Sequence, residues 1–191
     1  KNDNKKDFEN YLKTIDKQIK EIENLVNEFS DFARMPKPIF KKTDIIKVIE
    51  SNVSLLEVID KKIDIKIINY KKNIIIECDE DQIRRVFLNI VKNAIESIQE
   101  KSEKSAEFDK KIDIEISDEN DYITVTVQDN GTGLPDKNLN EILKPYYTTK
   151  IKGSGLGLSI VSKIINDHNG KIQFISKNVG AKILITLPKN V

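Results

Sequence analysis

Residues 123–133 read Ile-Thr-Val-Thr-Val-Gln-Asp-Asn-Gly-Thr-Gly, an alternating segment that leads directly into a glycine-rich turn. The alternation predicts a half-buried β-strand, and the similar segment 112–116 predicts its neighbour in a sheet. Asp129 ends this strand, where a fixed carboxylate can accept a hydrogen bond from an adenine amino group. Gly131 and Gly133 let the backbone adopt positive φ and approach a base closely. An ordinary tight turn is an equally good interpretation, because Asn-Gly is typical of turns.

A second glycine cluster, Gly153-Ser154-Gly155-Leu156-Gly157, precedes a predicted helix that runs from Leu158 to His168. The free amides and the positive dipole end of a helix N-terminus favour a phosphate group. The glycine spacing differs from the dinucleotide-binding fingerprint, and no Gly-Lys-Ser/Thr follows that would define a Walker loop. A flexible hinge is the alternative interpretation of this cluster.

The segment Tyr146-Tyr147-Thr148-Thr149-Lys150 lies just before the second glycine cluster. It offers two threonine hydroxyls and one ammonium group. The Lys150 ammonium could neutralise a terminal phosphate as a point charge. An ordinary charged loop is the alternative.

Two asparagines, Asn89 and Asn93, lie four residues apart on a predicted helix, at the edge of its apolar face. Asparagine is unfavourable inside a helix by roughly half a kcal/mol relative to alanine. Its amide oxygen is a ligand that Mg²⁺ accepts. Taken alone, the pair is better explained as two solvent-facing residues in an asparagine-rich chain.

The first segment of the chain has apolar residues at alternating gaps of four and three, which predicts one long amphipathic helix with a heptad seam. The stripe consists of Phe8, Leu12, Ile15, Ile19, Ile22, Val26 and Phe29. Such a stripe is expected to be buried against a partner. Prolines at 36 and 38 end the helix, so the sequence predicts a domain boundary between residues 1–38 and 39–191.

The remaining segments predict alternating helices and strands. The predicted elements are a helix capped by Thr43 or Asp44, strands at 63–67 and 74–76, a helix from Asp79 to about Glu100 with Asp79 and Gln82 as a capping box, a charged loop at 101–110, and strands at 171–176 and 182–187. The order of these elements is that of an α/β domain.

Composition excludes several classes of protein. The 191 residues carry 32 basic and 31 acidic side chains, a balance that predicts no nucleic-acid groove and no contact with an anionic membrane. A single cysteine, Cys78, excludes an internal disulfide and favours a reducing compartment. No apolar run approaches the roughly 20 residues of a membrane span.

The four motifs, taken together and in this order, resemble those of the ATP-binding domain of histidine kinases. The same superfamily includes gyrase, a heat-shock chaperone and the mismatch-repair ATPase MutL. Asn89 to Ala94 resembles the N box, Asp129 to Gly133 the first glycine box, Pro145 to Lys150 the F box, and Gly153 to Gly157 the second glycine box. Residues 22–36 resemble the second dimerisation helix of NtrY-type nitrogen-regulation sensor kinases. Ser97 departs from the family pattern, since it replaces an alanine.

The resemblance implies a fold and a set of ligands. The fold is a two-layer α/β sandwich of the Bergerat type, a mixed and mostly antiparallel sheet covered on one face by helices, with a protruding N-terminal helix. The ligands are ATP and Mg²⁺. Asn93 and Asn89 would serve the Mg²⁺–phosphate group, Asp129 the adenine, and Lys150 a terminal phosphate, with residues 134–156 as a mobile lid. The implied nucleotide-binding set is Asn89, Asn93, Asp129, Gly131, Gly133, Thr148, Thr149, Lys150, Gly153, Ser154, Gly155, Leu156 and Gly157.

The implied reaction is transfer of the ATP γ-phosphoryl group to a histidine, and then to an aspartate of a response regulator of NtrX-like type. The implied assembly is a homodimer through the N-terminal helix, in a cytoplasmic region of a parent anchored in the bacterial inner membrane. A clamp ATPase of the same superfamily and a non-catalytic ATP-sensing or dimerisation module are the alternatives.

The single histidine, His168, lacks the sequence context of a phosphoryl acceptor. In the family the acceptor histidine is followed by glutamate, whereas Asn169-Gly170 follows His168. We therefore expect His168 to be structural or on the surface, and the phospho-accepting helix to be absent from these 191 residues.

Overall fold

The computed structural model describes residues 2–69, 71–104, 108–134, 141–148, 154–177 and 179–190. The helices are α1 (Asn2–Ala33), α2 (Ile45–Leu56), α3 (Glu80–Lys104) and α4 (Gly157–Asp167). The strands are β1 (Lys41–Asp44), β2 (Asp64–Ile68), β3 (Ile75–Cys78), β4 (Lys111–Asp118), β5 (Tyr122–Asp129), β6 (Lys171–Ser176) and β7 (Ala181–Pro188).

Five strands form one mixed sheet in the order β2-β4-β5-β7-β6. The β2–β4 pair is parallel, and the other three pairs are antiparallel. Alternate residues of β5 face the helices and are buried, namely Ile123, Val125 and Val127. Helices α3 and α4 contact each other and pack on this sheet. The two-layer α/β sandwich predicted from the sequence is therefore confirmed.

Helix α3 is the central element of the helical layer. Its apolar face, which includes Ile83, Phe87 and Ile90, is fully buried. Burial of a side chain of this size contributes roughly 1.5–3 kcal/mol. The polar edge of the same helix is thereby fixed relative to the sheet.

Two local predictions need correction. Strand β1 was missed because Lys41–Asp44 has no apolar alternation; its pairing with β3 determines its conformation. Helix α3 continues to Lys104, so the predicted loop 101–110 begins too early. An ion pair between Lys104 and Glu100, one turn apart, supports the extra turn.

The capping of α2 and α3 differs in part from the prediction. Asp44 is the N-cap of α2, and its Oδ1 accepts from the Ile46 amide at 3.3 Å. Asp79 Oδ1 accepts from the Gln82 amide at 3.1 Å, as a capping box requires. The return bond is absent, because the Asp79 amide donates to His168 Nε2 at 3.0 Å and not to the Gln82 side chain. Gln82 Nε2 donates instead to the Pro36 carbonyl at 3.0 Å. Gln82 thus ties the linker after α1 to the domain.

Helix α1 leaves its heptad stripe uncovered. The seven apolar residues of the stripe are between 48% and 60% exposed. At the end of the helix, Phe32 and Met35 pack against the core, and the Phe29 ring stacks on Tyr146 with centroids 6.4 Å apart. No helix in the described part of the chain is both long and apolar enough to cross a membrane.

Candidate functional site

A cavity of about 480 Å³ opens between α3, the end of β5 and the start of α4. It brings together eight residues that the sequence predicted for the site: Asn89, Asn93, Asp129, Gly133, Thr148, Ser154, Gly155 and Gly157. Gly131 and Leu156 lie beside it without lining it. Thr149, Lys150 and Gly153 lie outside the described residues, as do residues 135–140 and 149–153 of the predicted lid.

The inner wall of the cavity is apolar. It is formed by Val127, Ile160, Phe174 and Ile183, which come from the sheet and from α4. Val127 and Ile183 are cross-strand partners of β5 and β7, so their side chains lie on the same face. A flat aromatic group such as a nucleobase fits such a wall. The alternation of these strands predicted burial but could not show that these residues face a cavity.

Asp129 is the charged group at this inner end, and it is only 6% exposed. Its Oδ1 accepts from the Gly131 amide at 2.8 Å. Burial raises the pKa of Asp129, an effect opposed by the backbone N–H groups of Gly131 and Ala181. An oriented, largely desolvated carboxylate of this kind is a strong acceptor for a base amino group.

Gly180 holds Asp129 from the opposite side and was missed as a site residue. Its φ is 71°, and a Cβ there would lie 1.9 Å from the Asp129 carbonyl oxygen. Any side chain at 180 would displace the aspartate. The only signal in the sequence was a glycine in the predicted turn between the last two strands.

The asparagines of α3 lie at the outer part of the cavity. Asn89 Nδ2 donates to the Arg85 carbonyl at 2.8 Å, which leaves its Oδ1 directed towards α4. A Cβ on Gly157 would lie 2.9 Å from that oxygen, so the glycine keeps this space open. Asn93 lines the cavity one turn further along. Arg85, Lys92, Glu96 and Glu100 of α3 also line the cavity, so both signs of charge occur there. No sequence motif predicted a role for these charged side chains.

These oxygens fit Mg²⁺ bound together with phosphate. Among the residues that the structure describes, no group of three His, Cys, Asp or Glu side chains could hold a metal. Mg²⁺ commonly takes one or two protein oxygens and completes its shell with water and phosphate oxygens. The donor set of this cavity suits an ion that arrives with a nucleotide.

The second glycine cluster packs directly on the segment before it. Gly155 has φ 68°, and a Cβ there would lie 2.5 Å from the Tyr146 carbonyl carbon. Leu156, the N-cap of α4, makes no side-chain capping bond. The amides of the first turn of α4 are therefore not capped by a Leu156 side chain, and they can serve an anion in the cavity.

His168 is buried and structural. It is 1% exposed, its Nε2 accepts from the Asp79 amide at 3.0 Å, and its Nδ1 therefore donates to the Ile164 carbonyl at 2.8 Å. The Phe40 ring lies edge-on with its centroid 5.1 Å away. Both ring nitrogens are engaged, which leaves neither available for chemistry.

Burial lowers the pKa of His168, against weaker opposing effects of Asp79 and Asp167. The unfolded chain, with a histidine pKa near about 6.5, therefore binds the proton more readily. The contribution of His168 to stability is fully present above about pH 6.5 and is lost as pH falls through the lowered folded-state pKa. As pH falls from about 7.5 to about 5.5, we expect the wild type to lose more unfolding free energy than His168→Gln in urea titrations. Equal losses in the two proteins would contradict this linkage.

The chain belongs to the family of histidine kinase-, DNA gyrase B-, and HSP90-like ATPases, whose profile matches residues 78–191. Within this family it is a histidine-kinase catalytic domain. The catalytic domain of the histidine kinase ThkA is 30% identical, with a TM-score of 0.70, and the match covers 80% of this chain and 97% of ThkA's domain. The site geometry described above agrees with that class.

Two further matches extend beyond this domain. An NtrY-like sensor histidine kinase of Rickettsia bellii is 35% identical over 181 residues, which are 93% of this chain and 28% of that protein. The chain thus spans just over a quarter of the length of this relative. The structure of ThkA in complex with the response regulator protein TrrA matches with a TM-score of 0.74 at 24% identity. This match covers 94% of this chain and 50% of the ThkA chain.

Proposed function

We propose that this chain is the ATP-binding catalytic region of a two-component sensor histidine kinase. The reaction is transfer of the ATP γ-phosphoryl group to a histidine on a separate helical segment, and then to an aspartate of a response regulator. The observation that carries the proposal is that one cavity is lined by Asn89, Asn93, Asp129 and Gly155. It has an apolar wall at one end and, at the other, a helix N-terminus without a side-chain bond from its N-cap residue.

Each end of the cavity has its own role. Adenine lies against the apolar wall, with its amino group donating to the buried Asp129 carboxylate. The phosphates lie towards α4, where first-turn amides receive them, and Lys150 and Thr149 contribute from the neighbouring segment, with Thr148 on the cavity wall. The protein thus works by positioning and by neutralising charge, which is the main requirement of phosphoryl transfer.

Asn93 and Asn89 hold the metal side of the nucleotide. Mg²⁺, when bound, supplies positive charge to the phosphate oxygens of ATP. The Asn89 amide nitrogen is occupied by the Arg85 carbonyl, so its oxygen is the atom presented to the cavity. This arrangement supports an oxygen ligand at that position.

The domain boundary follows from the same proposal. Residues 1–38 are the second helix of a dimerisation region, and residues 39–191 are the catalytic domain. The exposed heptad stripe on α1 supports a homodimer through this helix. ThkA's complex with TrrA supports a response regulator as partner. We further propose an NtrX-like regulator and a membrane-anchored parent, which the resemblance to NtrY-type kinases implies.

Replacement of Asn93 by alanine tests the metal assignment. We expect wild-type protein to bind a non-hydrolysable ATP analogue more tightly with Mg²⁺ than without it. In Asn93→Ala, we expect this Mg²⁺-dependent gain in affinity to be smaller by about ten-fold or more, since a hydrogen bond or ligand to a charged group contributes about 1.5–3 kcal/mol. Isothermal titration calorimetry with and without Mg²⁺ measures both affinities.

Asn120→Ala is the matched control for this experiment. Asn120 is an exposed asparagine in the β4–β5 turn and does not line the cavity. It should retain the full Mg²⁺ increment. An increment in Asn93→Ala equal to that of the wild type would show that Asn93 is not a ligand.

A further inference from the structure

The loop that follows β5 is held against the last turns of α3 by three successive residues. The Asn130 carbonyl accepts from Lys101 Nζ at 2.7 Å. The Thr132 amide donates to Ser97 Oγ at 3.0 Å and to the Ser97 carbonyl at 3.3 Å. Ser97 Oγ also lies 3.1 Å from Thr132 Oγ1, within hydrogen-bond distance. Between them Gly131 has no room for a side chain, since a Cβ would lie 2.3 Å from Ser97 Oγ.

This loop sets the direction of the Asp129 carboxylate. Asp129 Oδ1 accepts from the Gly131 amide, so the orientation of the carboxylate follows the position of that amide. Gly131 in turn is fixed by its two neighbours, both of which are bonded to α3. Ser97 Oγ is the nearest acceptor for the Thr132 amide, and Ser97, Thr132 and Asp129 all line the cavity.

We propose that Ser97 is a positioning residue for nucleotide binding, whose hydroxyl fixes the loop at 130–132 and thereby aims the Asp129 carboxylate at the base. This role rests on the proposed function, because it takes Asp129 as the acceptor for adenine. An alanine at 97 would leave the Thr132 amide with only the longer bond to the carbonyl. The loop at 130–132 would then adopt additional conformations. The apparent affinity for the nucleotide falls in proportion to the fraction of molecules whose loop keeps the binding-competent conformation.

Calorimetry with an ATP analogue and Mg²⁺ tests the role directly. We expect Ser97→Ala to bind about three- to ten-fold more weakly than the wild type, the range set by one net hydrogen bond. Thr132→Val, which removes only the hydroxyl partner, should show a smaller loss, and Thr132→Ser should bind like the wild type. The double variant Ser97→Ala/Thr132→Val should match Ser97→Ala alone, because both changes remove one shared contact.

A second measurement needs no nucleotide. Hydrogen exchange of the Thr132 amide, followed by NMR, should be faster in Ser97→Ala than in the wild type, with unchanged melting temperature. Ser102→Ala is the matched control on the same helix. Its hydroxyl donates to the Ile98 carbonyl at 2.9 Å, within its own helix, so both affinity and Thr132 exchange should stay at wild-type values.

The outcomes separate the two proposals. If the wild type fails to bind the ATP analogue, the proposed function is wrong. If the wild type binds and folded Ser97→Ala binds equally well, only the positioning role of Ser97 is wrong. The positioning role would also be wrong if the losses of binding free energy in the two single variants simply added up in the double variant, since the two hydroxyls would then act independently.

Discussion

Replacement of Asp129 by alanine is expected to reduce the affinity for ATP by about thirty-fold, which corresponds to about 2 kcal/mol. The base amino group loses the buried charged acceptor at the inner end of the cavity and gains no replacement there. Burial raises the pKa of this carboxyl group, which means that the folded state disfavours its charged form. Removal of the carboxylate should therefore cost the folded chain little stability. The mutant should therefore remain folded by circular dichroism while calorimetry registers the loss.

Two further variants sharpen this test. Asp129→Asn keeps the size of the side chain and an oxygen acceptor, and should bind with an affinity between those of the wild type and Asp129→Ala. Asp121→Ala removes an exposed aspartate in the turn before β5 and should leave ATP affinity unchanged. Unchanged ATP binding by a folded Asp129→Ala protein would remove Asp129 from the site.

The elements with clear periodicity could be predicted from the sequence. Strands β4 and β5 alternate over five residues each, and α3 has an apolar face, so local pattern and tertiary burial agree. Strand β1 has the sequence Lys-Lys-Thr-Asp, which carries no pattern of its own. Its conformation comes from backbone pairing with β3, whose residues lie more than thirty positions further along the chain. A local reading of the sequence cannot supply that pairing.

The residues of the candidate site also include some that the local sequence could indicate and others that it could not. Residues of the glycine clusters and of the asparagine pair could be named as candidates because their types are unusual at those positions, and most of them line the cavity. Gly180 was not found, and Ser97 was noted only as a departure from the family pattern, because each acts through a contact with a distant segment. Ser97 and Thr132 are 35 residues apart in sequence, and a serine on a helix gives no local signal that it accepts a loop amide.

The chain by itself is expected to bind ATP and to form no phosphohistidine. His168 is its single histidine, and both ring nitrogens are engaged in hydrogen bonds within the core. Attack on the γ-phosphate needs an exposed imidazole nitrogen, and His168 is 1% exposed. The measurement is protein-bound label from γ-phosphate-labelled ATP that is retained in alkali and lost in acid. Such label on the chain alone, abolished by His168→Gln, would falsify both the structural role of His168 and the need for a separate acceptor.

A histidine-bearing helix supplied in trans is expected to restore transfer, from no detectable label to stoichiometric label on the added helix. The added segment carries a His-Glu pair and a heptad stripe, which can cover the exposed stripe of α1 in a four-helix core. Ile19 lies at the centre of that stripe, is 58% exposed and does not line the cavity. Ile19→Glu should therefore abolish trans transfer, because a charge would be buried in the core, while leaving ATP affinity unchanged. Transfer that persists in Ile19→Glu would mean that the acceptor reaches the nucleotide without pairing with α1.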